Sequence, residues 1–347
     1  MKRMTPRVSV LIVNYNAGHH LARCIAALRR QTMAEFEAIV VDNASSDRSL
    51  VLARDAAEGD ARLVFDEVGA NLGFAAGNNR AAARARAKWL ATLNPDAFAE
   101  PDWLARLLDA VGRHPDADMF GSTQLDDADP AMLDGAGDCY LFCGIPWRGG
   151  KGHAASKTPP EGEVFGPCAA AALYRATAFR AAGGFDPAYF CFCEDSDLAF
   201  RLRLAGSRCV QVRDAVVHHV GGGSATPYPS FARYHGTRNM IWTFVKNMPP
   251  SLLWPLLPAH LAMLAFLCAK AAFRGELAVL GKAFVDAAAG LPRILRARRI
   301  GRNSRRANAA TIARALCWNP FTYLRRMPHP VATAGGKRAE RAGPESY

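Results

Sequence analysis

The first 120 residues alternate short apolar runs with amphipathic stretches, and this alternation restricts the possible fold more than any other feature. Leu21, Cys24, Ile25 and Leu28, for example, recur at helical spacing after the first apolar run. Repeated strand–helix units favour an α/β fold with a mostly parallel sheet flanked by helices. The predicted strands cover residues 8–13, 38–41, 63–65, 89–93 and 119–121. Ligands of such sheets bind beyond the carboxyl ends of the strands.

Polar or small residues follow three of these strands. Asp42 and Asn43 come directly after the second strand, and a carboxylate there could accept the ring N–H of a pyrimidine. The segment 71–79 is rich in Gly and Asn and precedes a helix whose N–H groups could bind phosphate. Asn94 and Asp96 follow the fourth strand, where Asp96 could hold a divalent metal. Taken singly, each cluster could also be an ordinary helix cap or turn.

A further acidic pair stands in the second half of the chain. Glu194 and Asp195 directly precede an amphipathic helix that Gly206 would end. The positive end of a helix dipole favours an ionised carboxylate, so we expect Asp195 to be charged near neutral pH. A plain helix cap would show the same pattern.

The remaining sequence predicts three regions. Residues 1–228 form the catalytic domain, with a nucleotide-sugar half (1–122) and an acceptor half (123–228), in which 124–163 is a long irregular insertion. We expect two further strands at 208–212 and 215–217. Residues 229–326 form an apolar and basic helical region, and 327–347 a disordered tail.

The net charge of +12 is concentrated near the C-terminus, where residues 293–306 read RILRARRIGRNSRR. Zinc-finger spacing and a basic–aromatic RNA motif are missing from the sequence, so we expect no nucleic acid partner. Residues 252–273 are almost wholly apolar but contain Pro255 and Pro258. We predict a helix lying on an anionic membrane surface, and the alternative is a helical hairpin packed on the catalytic domain. The irregular cysteine spacing and the short N-terminal apolar run favour a cytoplasmic protein, at the inner membrane's cytoplasmic face.

The order of these segments resembles that of the family-two glycosyltransferases of the GT-A fold, within them the rhamnosyltransferase-like bacterial branch. The resemblance covers residues 8–224. It is carried by the segments VSVLIVNYN, VDNASSD, NLGFAAGNN, LNPDA, GGFDPAYF, EDSDLAFRLRLAG and VVHHVGGGS.

This resemblance implies a nucleotide-sugar donor, a divalent metal (Mg²⁺ or Mn²⁺) and inversion at the anomeric carbon. Asp195 corresponds to the catalytic base, with Glu194 beside it, and Asp96 to the last acidic residue of the metal-binding Asp-x-Asp motif. Asn94 replaces the first aspartate of that motif, which leaves one charge fewer for the metal. Of the adjacent histidines 218 and 219, only one can face the site from a strand, and we predict that His218 does so and binds the metal together with Asp96. The predicted donor-binding residues are Asn14, Asn16, Asp42, Asn43, Asn71, Gly77, Asn78, Asn94 and Arg238.

We therefore expect a glycosyltransferase that moves a sugar, rhamnose being one candidate, from a dTDP- or UDP-sugar to a hydroxyl of a lipid-linked or polysaccharide acceptor. A nucleotidyltransferase would carry a Gly-rich basic loop after the first strand, where this chain has NYNAGHH. The remaining alternative is a non-catalytic glycan- or membrane-binding module, which would bind no nucleotide sugar.

Overall fold

A computed structural model describes residues 5–221 and 229–331 of the 347-residue chain. Strands and helices alternate through the first part, as the apolar periodicity predicts. In chain order these elements are β1 (Val8–Asn14), α1 (His20–Arg29), β2 (Phe36–Asp42), α2 (Ser49–Ala57), β3 (Leu63–Glu67), α3 (Gly73–Arg84), β4 (Trp89–Leu93), β5 (Ala97–Ala99), α4 (Trp103–Arg113) and β6 (Ala117–Asp126).

The segment 124–163, which we expected to be irregular, contributes several short strands because it folds back onto the sheet. Its strands are β7 (Leu133–Ala136), β8 (Asp138–Tyr140), β9 (Pro146–Arg148) and β10 (Gly162–Glu163). The order then continues with β11 (Ala171–Arg175), α5 (Ala176–Ala181), α6 (Glu194–Leu204) and β12 (Arg208–His219). The two strands predicted at 208–217 are one strand, whose pairing with β6 shifts register between Val212 and Val216.

The main sheet has the order β10-β12-β6-β11-β4-β1-β2-β3, with β5 paired to β12 and β7 to β6. The strands β4, β1, β2 and β3 are parallel, as predicted, and β6 and β12 are also parallel to each other. The antiparallel strand β11 lies between β4 and β6 and makes the sheet mixed. The predicted boundary between residues 122 and 123 falls inside β6, so the two halves share a strand.

Helices cover both faces of this sheet, which explains the nearly continuous apolar character of its strands. Along β1, Val10 and Ile12 join a core that includes α1, α2 and α4. Leu11 points the other way, into a second core with α3, α5 and α6. The α/β fold class predicted from the sequence is therefore confirmed.

The C-terminal region is helical and packs on the second core. Its helices are α7 (Pro229–Asn247), α8 (Pro250–Phe273), α9 (Leu277–Ala289), α10 (Leu291–Ile300), α11 (Ala309–Ala315) and α12 (Pro320–Leu324). His260 of α8 is buried, stacks on Phe244 at 4.0 Å between ring centroids, and lies 2.8 Å from the carbonyl oxygen of Cys143. One face of α8 is thus fastened to the catalytic domain.

The predicted tail begins inside the ordered structure. The amide of Val331 donates to the carbonyl oxygen of Glu163 at 2.8 Å, and its side chain is buried. Residues 332–347, which make up the rest of the predicted disordered tail, lie outside the described residues, as do residues 222–224 at the end of the VVHHVGGGS segment.

Candidate active site

Asp42 lies at the carboxyl end of β2, opposite Asn14 at the end of β1. The side chain of Asn14 donates to Oδ1 of Asp42 at 2.6 Å, and the amide of Ser45 donates to Oδ2 at 3.0 Å. Asn14 also donates to the hydroxyls of Ser45 and Ser49. Asn16 has φ +50° and accepts a 2.8 Å bond from the amide of Ser46. These contacts hold the 42–49 loop beside the ends of β1 and β2.

Asn43 and Asn71 join this loop to the start of α3. The side chain of Asn43 donates to the carbonyl oxygen of Gly73 at 3.1 Å and lies 3.4 Å from Oδ1 of Asn71. The amide of Gly73 donates to the same Asn71 oxygen at 3.0 Å, and the amide of Ala75 donates to the carbonyl of Phe190. These two N–H groups at the start of α3, which we expected to bind phosphate, therefore already have protein acceptors.

Two predicted donor-binding residues of α3 have packing roles instead. A Cβ at Gly77 would lie 2.8 Å from Cγ1 of Val13, so glycine is needed for the helix to approach β1. Asn78 is buried, and its side chain donates to the carbonyl oxygen of Phe74 one turn earlier. The sequence could not show which face of the helix meets the sheet, because small residues occur all round α3.

A second cluster lies at the end of β4 and contains Asn94, Asp96 and His219. The ring nitrogen Nε2 of His219 lies 3.4 Å from Oδ1 of Asp96 and 3.4 Å from Nδ2 of Asn94. Among the described residues, no donor contacts Oδ2 of Asp96 or Oδ1 of Asn94, although both atoms are buried. Burial by itself raises the pKa of Asp96, but the hydrogen bond and charge of His219 outweigh it and hold that pKa below its usual range.

The prediction of His218 as a metal ligand needs correction. Its Nε2 lies 2.6 Å from Oε1 of Glu100, away from Asp96. His219 instead points into the site, and its Nδ1 lies 2.7 Å from Oδ2 of Asp134. Successive strand side chains alternate between faces, and the register shift in β12 decides which of the two histidines faces inward.

Asp134 and Arg148 come from the segment 124–163 and were not predicted as site residues. Asp134 is buried on β7 and forms ion pairs with Arg148 and Lys151 as well as its contact with His219. Burial alone raises the pKa of Asp134, but His219 and Arg148 more than compensate and hold it well below its usual range. A Cβ at Gly135 would overlap the side chain of Arg148, so glycine allows that arginine to cross β7.

Asp195 lies in the first turn of α6, as predicted. Its Oδ1 accepts a 2.7 Å bond from the amide of Ser196, and its Oδ2 lies 3.4 Å from the amide nitrogen of Ala169. Burial raises the pKa of Asp195, although these amides and the charge of Arg148 act in the opposite direction. Burial therefore acts against the ionised form of Asp195 that the sequence predicted from the helix terminus alone.

Further acidic groups adjoin Asp195. Glu194 is buried, and burial together with the charge of Asp195 raises its pKa well above the usual range. A carboxylate oxygen of Asp138, the thiol of Cys168 and a carboxylate oxygen of Asp195 lie within 4.8 Å of one another. Burial and the charge of Asp195 also raise the pKa of Asp138. Asp138 was missed because β8 belongs to the segment we expected to be irregular, and Cys168 was missed because no other cysteine or histidine stands at the usual metal-site spacing from it in the sequence.

Residues 169 and 170 contact both the segment that carries Asp96 and the side chain of Asp195. The backbone amide of Asn94 donates to the carbonyl oxygen of Ala170 at 2.8 Å, and the amide of the adjacent Ala169 faces Asp195. Arg148 forms an ion pair with Asp134, the partner of His219, and its charge also acts against the raised pKa of Asp195. Asp96 and Asp195 are 99 positions apart along the chain, and residues 169 and 170 connect the segments that carry them.

Arg238 does not lie among these groups. Its guanidinium donates to the carbonyl oxygens of Ala188 and Tyr189 at 3.2 and 3.1 Å, and its Cζ lies 4.4 Å from the centroid of the Trp242 ring. These contacts anchor α7 to the segment before α6. The guanidinium that we predicted to bind the donor is thus occupied by protein groups.

Comparison with known proteins identifies the family. A family model described as Glycosyl transferase family 2 matches residues 9–181. The chain is 30% identical over 243 residues to an N-acetylglucosaminyl-diphospho-decaprenol L-rhamnosyltransferase of Mycobacterium tuberculosis, across 62% of this chain and 77% of the relative. The chain belongs to glycosyl transferase family 2. It is a glycosyltransferase, and its similarity to a rhamnosyltransferase agrees with the branch that the sequence motifs predicted.

Other relatives and solved structures extend this result. A putative glycosyltransferase EpsH of Bacillus subtilis is 33% identical over 114 residues, which is 32% of each chain. The mannosyltransferase PcManGT from Pyrobaculum calidifontis, solved in complex with GDP-Man and Mn²⁺, has a TM-score of 0.53 at 19% identity and covers 90% of this chain and 88% of its own. GalNAc-T7, solved with UDP, GalNAc and Mn²⁺, has a TM-score of 0.57 at 14% identity over 71% of this chain and 48% of its own. The glycosyltransferase has the predicted GT-A fold.

Proposed function

We propose that this family 2 enzyme is an inverting glycosyltransferase that transfers a sugar, rhamnose being the first candidate, from a dTDP- or UDP-sugar to a lipid-linked acceptor. The observation that supports this most directly is that two adjacent residues contact both acidic segments. The carbonyl oxygen of Ala170 accepts from the amide of Asn94, two residues before Asp96, and the amide of Ala169 faces Asp195. The carboxylate of Asp96 suits the diphosphate side of a donor, and the carboxylate of Asp195 suits the acceptor side. The similarity to a rhamnosyltransferase whose name contains a lipid diphosphate supports the choice of substrates.

In this proposal Asp195 acts as the general base. An acceptor hydroxyl attacks the anomeric carbon while its proton passes to the carboxylate of Asp195. The bond from the anomeric carbon to the diphosphate oxygen breaks, and its electron pair leaves with the nucleoside diphosphate. Attack from the face opposite the leaving group inverts the anomeric centre. Glu194 and Asp138 adjoin the base, and burial together with the charge of Asp195 raises the pKa of both.

The residues of the Asp96 cluster fit a divalent cation. Buried oxygens of Asp96 and Asn94 without a donor among the described residues are hard ligands of the kind that Mg²⁺ and Mn²⁺ prefer. Asp96, Asn94 and His219 would hold the ion, and Asp134 orients His219 through its other ring nitrogen. Such an ion would neutralise charge that develops on the departing diphosphate. Asp42 and Asn43, at the carboxyl end of β2, lie where the base and ribose of the donor would be expected.

We also propose that the enzyme works on the cytoplasmic face of an anionic membrane. Within the described residues, α8 is the one helix long and apolar enough to span a bilayer. Its most apolar 18 residues have a mean hydropathy of 1.9, and 17% of them are buried. His260 and its neighbours fasten one face of α8 to the domain, while Trp254, Phe266 and Phe273 are exposed. Exposed arginines follow on α10. An apolar face beside a basic one is typical of a surface-bound helix.

Transfer with a panel of donors tests the proposed reaction. Purified enzyme is incubated with dTDP- and UDP-sugars, Mn²⁺ or Mg²⁺, and a polyprenyl-diphosphate-linked acetamido sugar as acceptor, and the anomeric configuration of the product is read by NMR. We expect an inverted product with at least one donor. Asp195→Asn should abolish transfer while donor binding by calorimetry persists. A retained anomeric configuration, or turnover by Asp195→Asn, would contradict the mechanism, and failure of every nucleotide sugar to bind would favour a non-catalytic module.

A further inference from the structure

The loop directly before α6, residues 189–193, has an unusual backbone. Phe190, Phe192 and Cys193 have φ angles of 65°, 69° and 62°, in the left-handed region that residues with side chains rarely adopt. Each such residue costs free energy and persists only where surrounding contacts enforce it. Because α6 begins at Glu194, immediately after Cys193, the direction of Asp195 depends on this loop.

Asn239 of α7 provides those contacts. It is fully buried, and its Nδ2 atom lies 2.9 Å from the carbonyl oxygens of Tyr189 and Cys191 and 2.8 Å from that of Phe192. Two N–H bonds thus serve three acceptors in one short segment. The guanidinium of Arg238 donates to Oδ1 of Asn239 at 3.0 Å and sets the orientation of the amide.

We propose that Asn239 is a positioning residue that holds loop 189–193 in its left-handed conformation and thereby orients Asp195 in the candidate active site. The role of Asp195 as base rests on the proposed function, but the hydrogen bonds by which Asn239 holds the loop do not depend on it. Asn239 acts only on the backbone of the loop, since every acceptor of its Nδ2 atom is a main-chain carbonyl. Removing the Asn239 side-chain amide deletes the hydrogen bonds that hold the loop, while the backbone strain at Phe190, Phe192 and Cys193 remains.

The loop carries its own probes for an experiment that does not need turnover. Cys191 and Cys193 are half-buried thiols within it, and burial together with nearby carboxylates raises the pKa of both. Both should therefore react slowly with a maleimide in the wild-type enzyme. In Asn239→Ala we expect labelling of these two thiols, measured by peptide mass spectrometry, to rise about tenfold, the effect of losing hydrogen bonds of ordinary strength. Cys268 on α8, also half-buried, should keep its rate.

Asn247→Ala is the matched control. Asn247 is buried two turns further along α7, and its side chain donates to Oδ1 of Asp197 rather than to the loop. We expect this variant to lose stability but to label at Cys191 and Cys193 like the wild type. Unchanged loop labelling in Asn239→Ala, or an equal rise in Asn247→Ala, would overturn the proposal. Should Asn239→Ala fail to fold, Asn239→Asp keeps the volume but removes the donor, and the same result is expected.

Kinetics then connect the loop to the reaction. With an active donor and acceptor, Asn239→Ala should lower kcat about tenfold or more while the KM for the donor changes less than about twofold, since the proposed donor site lies at the ends of β1, β2 and β4. A change confined to KM would overturn the positioning role. If the wild-type enzyme transfers no sugar, the proposed function fails, whereas the labelling experiment still decides whether Asn239 holds the loop.

Discussion

Nε2 of His219 lies 3.4 Å from Oδ1 of Asp96, and both side chains are buried. The other ring nitrogen of His219 is occupied by Asp134 at 2.7 Å, which fixes the ring toward Asp96. Burial lowers the pKa of His219, but the two carboxylates outweigh that effect and leave it above the usual value. A histidine held between two acids in this way is well placed to complete a cation site once it is neutral.

The first prediction separates the two adjacent histidines. His219→Gln should weaken Mn²⁺-dependent binding of a nucleoside diphosphate roughly 10- to 100-fold, the usual effect of disturbing a metal's ligands or their partners. His218→Gln changes the same residue type at the next position but touches Glu100 instead, so its affinity should stay within about twofold of wild type. Calorimetric titration with and without Mn²⁺ measures both variants. Equal losses in the two would contradict the assignment of His219.

The second prediction concerns the pH dependence of transfer. The base must be ionised, and burial raises the pKa of Asp195, so kcat/KM should rise with pH through a midpoint above the usual aspartate value of about 3.9. The charge of Arg148 opposes that shift. Arg148→Gln should therefore move the acidic limb to higher pH, and a pH–rate profile of both proteins measures it. A limb that moves to lower pH would show that Arg148 does not act on the base.

The third prediction concerns Gly77. In Gly77→Ala the new methyl group would lie 2.8 Å from Val13, and overpacking of this kind costs about 1–3 kcal/mol of unfolding free energy. Gly112→Ala on α4 adds the same group where no atom lies within 4 Å, and it should stabilise by about 0.5–1 kcal/mol. Urea unfolding measures both. Loss of nucleotide affinity at unchanged stability in Gly77→Ala would restore the donor-binding role predicted from sequence.

The fourth prediction concerns the buried ion pairs of Asp197. Burial alone raises the pKa of Asp197, but Arg201 and Lys246 outweigh it and hold that pKa well below the usual range. Its stabilisation is therefore complete above an unfolded pKa of about 3.9 and is lost as the pH falls toward the folded value. Asp197→Asn should cost about 3–5 kcal/mol at pH 7 and make acid unfolding less steep.

Urea unfolding at pH 7 and at about pH 3, below the unfolded pKa, tests this stability effect. Asp102→Asn is the control, because Asp102 forms an exposed pair with Arg106 one turn along α4 and should change stability by at most about 1 kcal/mol. An equal loss of unfolding free energy in both variants would show that the buried ion pairs of Asp197 stabilise the fold no more than an exposed pair does.

The fifth prediction concerns the membrane surface. Replacing Arg296, Arg299 and Arg302 with Gln should weaken binding to anionic phosphatidylglycerol vesicles by roughly 1 kcal/mol per arginine. Removing the same charge from the exposed Arg7, Arg30 and Arg213 of the catalytic domain should have little effect. Vesicle co-sedimentation at low and high salt measures both. Equal binding of the two triple variants would argue against an oriented membrane surface.

Much of the fold could be predicted because its first part depends on local patterns. Apolar runs such as those at β1 and β2 are buried on both faces, and their neighbours have clear helical spacing. The segment 124–163 lacked such a pattern. Its strands are two to four residues long, too short to show a clear alternation. One of them, β10, pairs with the distant strand β12, where Gly162 lies opposite Gln211. No short window of sequence can report a pairing of that kind.

The local sequence was enough to determine which acids stand at the ends of strands and at the start of α6, since periodicity and helix signals depend on neighbouring residues. Only the tertiary structure decided that His219 rather than His218 faces Asp96, that Asp134, Asp138 and Arg148 surround the site, and that Gly77 packs against Val13. Those outcomes depend on strand register and on contacts between segments far apart in the chain. Long-range packing energies determine the register and the contacts, and no single segment of the sequence contains enough information to predict them.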